Sequence, residues 1–259
     1  MSEQKDNIET KTDSINPFMT PLKIIEPKNK LPDYTFEQLP DFQKQILIAH
    51  GWKDLMPVQR KTIPYMLAAR DMLIQSKTGS GKTGAFVLPL LQVIEPSHPY
   101  PQALILVPTR ELALQVQQEI ETLSGNRGIR SVAIFGGVPY EPQVASLKNE
   151  LHIIVATPGR LIDHAKKGNV DFLSIRDLIL DEADEMLNMG FLDDITNILS
   201  STPEDRRTLL FSATMPKEIA NIAKRYMKEP IEISVGQRGE AAKNVEHYYV
   251  LTKSTHRYD

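Results

Sequence analysis

Met72-Leu73-Ile74-Gln75-Ser76-Lys77-Thr78-Gly79-Ser80-Gly81-Lys82-Thr83 leads from an apolar run, through a glycine turn, into the helix-like stretch Gly84–Leu91. A strand, a tight turn and a helix in this order aim several backbone N–H groups and the positive helix end at one point, where an anion is held. Gly79 and Gly81 supply the backbone freedom the turn needs. Lys82 is then placed to reach the β- and γ-phosphates of a nucleotide, and the Thr83 hydroxyl to ligate Mg²⁺. Ser76 stands where the usual G-x-x-x-x-G-K-[ST] pattern has its first glycine, and a small residue still allows the turn. The predicted nucleotide-binding segment is therefore Ser76, Lys77, Thr78, Gly79, Ser80, Gly81, Lys82 and Thr83.

Outward from this loop, short apolar runs alternate with helical stretches. The runs are Met72–Gln75, Ala103–Val107, Val132–Phe135, Ile153–Ala156, Leu178–Leu180, Leu209–Phe211 and Ile231–Val235. They are near-continuously apolar, as strands covered on both faces are. Helices are expected between them, for example over Glu111–Leu123, with apolar residues at 112, 116, 120 and 123, and over Lys217–Met227. The predicted fold class is α/β: a mostly parallel sheet flanked by helices on both faces.

The flanks differ in kind. Residues 1–33 are polar and lack sustained periodicity, and read as a flexible tail in which Ile24 and Ile25 are the only docking candidates. The core is expected over 34–235, and 236–259 turn polar again. No apolar run approaches the ~20 residues that span a bilayer, and the N-terminus has no apolar signal region. With no cysteine in 259 residues, disulfides and thiolate metal sites are excluded; a cytoplasmic setting is expected. A net charge of −3 provides no global field for a polyanion, so any nucleic acid must be gripped locally.

The second informative stretch is Leu178-Ile179-Leu180-Asp181-Glu182-Ala183-Asp184. An apolar run ending in carboxylates describes a buried strand that delivers Asp181 and Glu182 to the carboxyl edge of the sheet, where doubly wound folds bind ligands. Asp181 would hold Mg²⁺ opposite Thr83, and Glu182 would orient or deprotonate the water that attacks the γ-phosphate. Helix capping by Asp181 in a solvated acidic turn is the plainer alternative.

Asp181-Glu182-Ala183-Asp184 spells the motif for which DEAD-box RNA helicases are named, and the core resembles that family in the order of its motifs. The phosphate loop is followed by Pro108-Thr109-Arg110-Glu111-Leu112-Ala113, Gly136-Gly137, Thr157-Pro158-Gly159-Arg160, the acidic quartet and Ser212-Ala213-Thr214. Upstream, Gly51-Trp52-Lys53-Asp54-Leu55-Met56-Pro57-Val58-Gln59 resembles the adenine-recognising Q motif, with Leu55-Met56 in place of the usual Pro-Thr/Ser. The resemblance covers roughly 34–235 and implies the first of two RecA-like domains.

That resemblance implies the remaining roles. Gln59 would accept from the adenine N6 amine and donate to N7, favouring ATP over GTP. Phe36 would stack on the adenine, with Tyr34 as competitor and core packing open for both. Pro108, Thr109, Arg110, Gly136, Gly137, Thr157, Pro158, Gly159 and Arg160 would contact the RNA backbone through hydroxyls, bare N–H groups and guanidinium groups, reading charge and shape but not sequence. The same threonines and prolines also suit ordinary helix starts. Ser212 and Thr214 would bond Asp184 and couple hydrolysis to strand separation.

The implied activity is RNA-dependent ATP hydrolysis that opens short RNA duplexes, with ATP and Mg²⁺ as cofactors and RNA as partner. No H-R-x-G-R-x-x-R motif occurs; His256-Arg257 is followed by Tyr258-Asp259. A second RecA-like domain that supplies arginine fingers is thus expected from outside this chain, which alone should bind nucleotide and scarcely hydrolyse it. The tails leave room for protein partners. Two alternatives stay open: an ATP-gated RNA clamp or scaffold, and a P-loop NTPase acting on DNA.

Overall fold

The computed structural model describes residues 24–25, 27 and 30–235. Its strands are β1 (Ile24–Ile25), β2 (Met72–Ser76), β3 (Ala103–Leu106), β4 (Ser131–Ile134), β5 (Ile153–Ala156), β6 (Asp177–Leu180), β7 (Arg207–Ser212) and β8 (Ile231–Val235). They form one sheet in the order β1-β8-β2-β7-β6-β3-β5-β4. All neighbours run parallel except the edge strand β1, which pairs antiparallel with β8 through Ile24 opposite Val235 and Ile25 opposite Ser234.

The helices are α1 (Asp41–Ala49), α2 (Pro57–Leu67), α3 (Lys82–Val93), α4 (Arg110–Ser124), α5 (Glu141–Leu147), α6 (Pro158–Lys166), α7 (Ala183–Asn188), α8 (Leu192–Ser201) and α9 (Lys217–Tyr226). Because successive strand residues point to opposite faces, the sheet divides its apolar side chains between two cores. Ala103, Ile105, Val155, Ile179, Leu209 and Phe211 pack with α2, α3 and α4. Leu104, Leu106, Ile154, Leu178, Leu180 and Leu210 pack with α6, α7, α8 and α9. The expected strands and the two named helices are present, with ends shifted by a residue or so and β7 extended back to Arg207.

Polar anchors set the register at the amino edge. Asp71, just before β2, accepts from the Thr208 amide at 2.7 Å and the Lys228 amide at 2.6 Å, which ties the starts of β2, β7 and β8 together. Asp177 at the start of β6 pairs with Arg207, which also donates to the Met66 carbonyl. Burial raises the Asp177 carboxyl, and Arg207 opposes that rise. Of the tail expected over 1–33, Ile24–Ile25 form β1, and the residues up to Lys23, like those from Gly236 on, lie outside the described residues.

Candidate active site

Strand order sorts the motifs into two neighbouring groups at the carboxyl edge. Adjacent β2, β7 and β6 carry the phosphate loop, Ser212-Ala213-Thr214 and the acidic quartet, and adjacent β3, β5 and β4 carry the segments after Leu106, Ala156 and Ile134. Along the chain these two groups are interleaved.

Ser76 ends β2, and Lys77–Gly81 make the turn into α3. Gly79 and Gly81 take φ of 78° and 87°, where a side chain would be strained. The Ser76 and Ser80 hydroxyls and the Lys82 ammonium are buried with no hydrogen-bond partner, although Lys82 is only 6% exposed. Unpaired buried polar groups are costly, and a triphosphate is a ligand that would satisfy all three.

Asp181 lies at the end of β6, 2% exposed. Burial pushes its carboxyl up to about 6; the Lys82 charge pulls it down, and Glu182 adds to the rise. Lys82 and Asp181 thus share one electrostatic environment across β7. Asp181 also accepts from the Glu182 amide at 3.0 Å. Glu182 caps α7 with φ 52° and ψ 49°, a left-handed conformation that is uncommon for a residue with a side chain. Among the described residues no group of three His, Cys, Asp or Glu forms a metal cluster, so a Mg²⁺ ion here would rely on Asp181, the Thr83 hydroxyl and phosphate oxygens.

Asp184 receives both the hydroxyl and the amide of Thr214, each at 2.8 Å. Burial alone would raise its carboxyl, but the hydroxyl and amide of Thr214 bring it below the usual value. The Ser212 hydroxyl also donates to the Thr214 carbonyl at 2.6 Å, closing the turn after β7.

Gln59 is fully buried in α2. Its Oε1 accepts from the Met56 amide at 2.8 Å and its Nε2 donates to the Gly81 carbonyl at 3.1 Å. Each end of the amide keeps one further bond, the number a base would need. Three contacts here have no local signal in the sequence. A Cβ at Gly84 would lie 2.7 Å from Gln59 Nε2 and 3.0 Å from the Trp52 ring, and the Met56 side chain crowds Gly81. Tyr34 and Phe36 are both half-buried against the core, Phe36 in a short 3₁₀ turn; the Tyr34 hydroxyl donates to the Gln38 carbonyl at 2.9 Å.

On the other half of the edge, buried Pro108 precedes Thr109, whose Oγ1 accepts from the Leu112 amide at 3.2 Å and caps α4. Arg110 lies over the Phe135 ring, 5.2 Å from its centre. Gly136 and Gly137 are exposed, and Gly137 has φ 78°. Thr157, nearly buried, and Pro158 start α6, followed by Gly159 and Arg160. Arg160 donates to the Val138 carbonyl at 3.2 Å, which joins the start of α6 to the Gly136-Gly137 turn.

A family model described as DEAD/DEAH box helicase matches residues 56–222. The ATP-dependent RNA helicase CshA of Limosilactobacillus reuteri is 43% identical over 209 residues, which are 81% of this chain and 42% of that protein. The ATP-dependent RNA helicase DeaD of Haemophilus influenzae is 42% identical over 80% of this chain and 34% of its own length. A crystal structure of a DEAD box protein from the hyperthermophile Methanococcus jannaschii superposes with a TM-score of 0.75 at 42% identity, covering 78% of this chain and 56% of that one. This chain therefore spans less than half the length of these two curated relatives. With the sheet order, the phosphate loop and the Asp181–Asp184 quartet in register, the chain belongs to the DEAD/DEAH box helicase family.

Proposed function

We propose that this chain is the first RecA-like domain of an ATP-dependent RNA helicase, binding ATP with Mg²⁺ at the β2–β7–β6 edge and the RNA backbone at the β3–β5–β4 edge. The observation that carries this reading is the buried Lys82 ammonium, unpaired in the phosphate loop and sharing its field with Asp181. Lys82 would neutralise the β- and γ-phosphates, and loop amides would fix their position. Bound Mg²⁺ would supply positive charge against the phosphate oxygens, held by Thr83 and Asp181. Glu182 would orient or deprotonate the attacking water, its carboxylate presented by the left-handed turn at the head of α7.

Gln59 would read adenine with its remaining donor and acceptor, after the exposed Met56 side chain moves aside. Thr109, Arg110, Gly136, Gly137 and Thr157–Arg160 would hold RNA by its backbone. The Asp184–Thr214 link would report the state of the nucleotide half to the turn after β7. A second RecA-like domain would supply arginine fingers, worth about 10³–10⁵ in rate. A cytoplasmic setting belongs to the same reading.

Calorimetric titration with ATP, GTP and Mg²⁺, followed by turnover with and without RNA, tests this. ATP should bind in preference to GTP, with turnover barely above background. Preferred GTP binding, or vigorous RNA-stimulated turnover by this chain alone, would contradict it.

A further inference from the structure

We propose that α6 carries a further RNA-phosphate contact, Lys167, held in line with Arg160 by the Tyr140 ring; this rests on the RNA reading of the β3–β5–β4 edge.

Arg160, His164 and Lys167 are spaced four and three residues apart, so they form one stripe along α6 and its C-cap. Tyr140, at the N-cap of α5, lies across that stripe. His164 stacks on the Tyr140 ring with centroids 4.2 Å apart and planes 9° from parallel. The Lys167 ammonium sits 4.0 Å from the ring centre, and the Arg160 guanidinium carbon 5.7 Å. The two cations therefore lie within about 10 Å of each other, both referred to one ring. The ring itself is fixed: its hydroxyl accepts from Asn169 Nδ2 at 2.8 Å and donates to the Asp163 carbonyl at 3.4 Å.

Two features favour an anion as the missing partner. Neither Arg160 nor Lys167 forms an ion pair among the described residues, although Asp163 and Asp194 flank the helix. Arg160 also occupies the first turn of α6, where the helix dipole disfavours a cation; that turn holds no acidic residue of its own, and the Asp194 carboxylate that comes near Gly159 forms no ion pair with Arg160. A phosphate beside Arg160 would give the guanidinium an anionic partner. His164 is buried; burial lowers its ring, and Arg160 and Lys167 reinforce that shift, so it serves as a neutral spacer. The Tyr140 ring is thus a positioning element, its faces occupied by the cations and His164, and no platform for a base.

The test is fluorescence anisotropy of this chain with a short labelled single-stranded RNA of mixed sequence across a salt series, for Lys167→Gln, Arg160→Gln, Tyr140→Phe and Tyr140→Leu. Lys167→Gln should weaken binding several-fold at low salt and reduce the magnitude of the log–log salt slope by about 0.7, the loss of one phosphate contact. Tyr140→Phe should keep most of the affinity, and Tyr140→Leu should lose as much as Lys167→Gln or more. ATP affinity and thermal melting of each variant identify any that are merely misfolded. If Arg160→Gln weakens RNA binding while Lys167→Gln leaves affinity and slope unchanged, the inference is wrong and the RNA reading stands. If neither changes binding, the RNA reading of α6 falls with it.

Discussion

Gln59 Nε2 donates to the Gly81 carbonyl at 3.1 Å, so a side chain from α2 holds the residue from which α3 starts. The motif expected to read the base is thereby also a brace for the phosphate loop. Gln59→Ala should raise the ATP Kd by roughly tenfold and lower unfolding stability by about 1–2 kcal/mol, because the Met56 amide and Gly81 carbonyl lose a buried partner. Isothermal calorimetry and urea melts measure the two effects. A Gln59→Ala chain that binds ATP normally would separate the brace from the site.

Gly84 is the packing counterpart of that brace. With a Cβ only 2.7 Å from Gln59 Nε2, Gly84→Ala should drive the amide out of its bonds, costing about 1–3 kcal/mol and weakening ATP binding in parallel. Gly128, where a Cβ meets nothing within 4 Å but φ is +72°, provides a strain-only control, and Gly128→Ala should leave ATP affinity unchanged.

Lys82 separates stability from function. Its buried ammonium has no hydrogen-bond partner but offsets the buried Asp181 charge, so Lys82→Met should abolish ATP binding while leaving the stability of the nucleotide-free chain within about 1 kcal/mol of its parent. Chemical denaturation without nucleotide is the measurement. A Lys82→Met chain much less stable than its parent would show that the ammonium contributes more to the fold than this offset.

Asp184 gives a pH signature. Its folded-state carboxyl lies below the ordinary 3.8, so the Thr214 link contributes stability above that value and loses it as pH falls through the lower folded one. Asp184→Asn should cost about 1–2 kcal/mol at neutral pH and flatten the acid limb of the stability curve. Melts from pH 7 down to pH 2 test both, and an unaltered acid limb would remove Asp184 from the account.

Asp71→Ala is expected to harm the fold from the far edge of the sheet. It would strand the Thr208 and Lys228 amides and cost about 2–4 kcal/mol, yet leave ATP affinity at low temperature close to normal. A large ATP defect with intact folding would link the two edges of the sheet in a way these bonds do not provide.

The strands β2 to β8 were legible because each contains a short apolar run, with both faces covered in β3, β5 and β6, and the phosphate loop and acidic quartet because their chemistry lies in contiguous residues. A two-residue antiparallel edge strand carries no such pattern: Ile24 and Ile25 read only as docking candidates, and pairing with Val235 and Ser234 makes them β1. The contact of Gln59 with Gly81, the crowding at Gly84 and the convergence of α6 on Tyr140 join residues far apart in sequence or on different elements. Local order alone therefore determined the α/β class and the loop that meets phosphate. Which motifs become neighbours was decided by the strand order β2-β7-β6-β3-β5-β4, which sorts interleaved segments into two groups. Each strand is stabilised by its own backbone period, but its place in the sheet depends on which neighbours bury its two faces together.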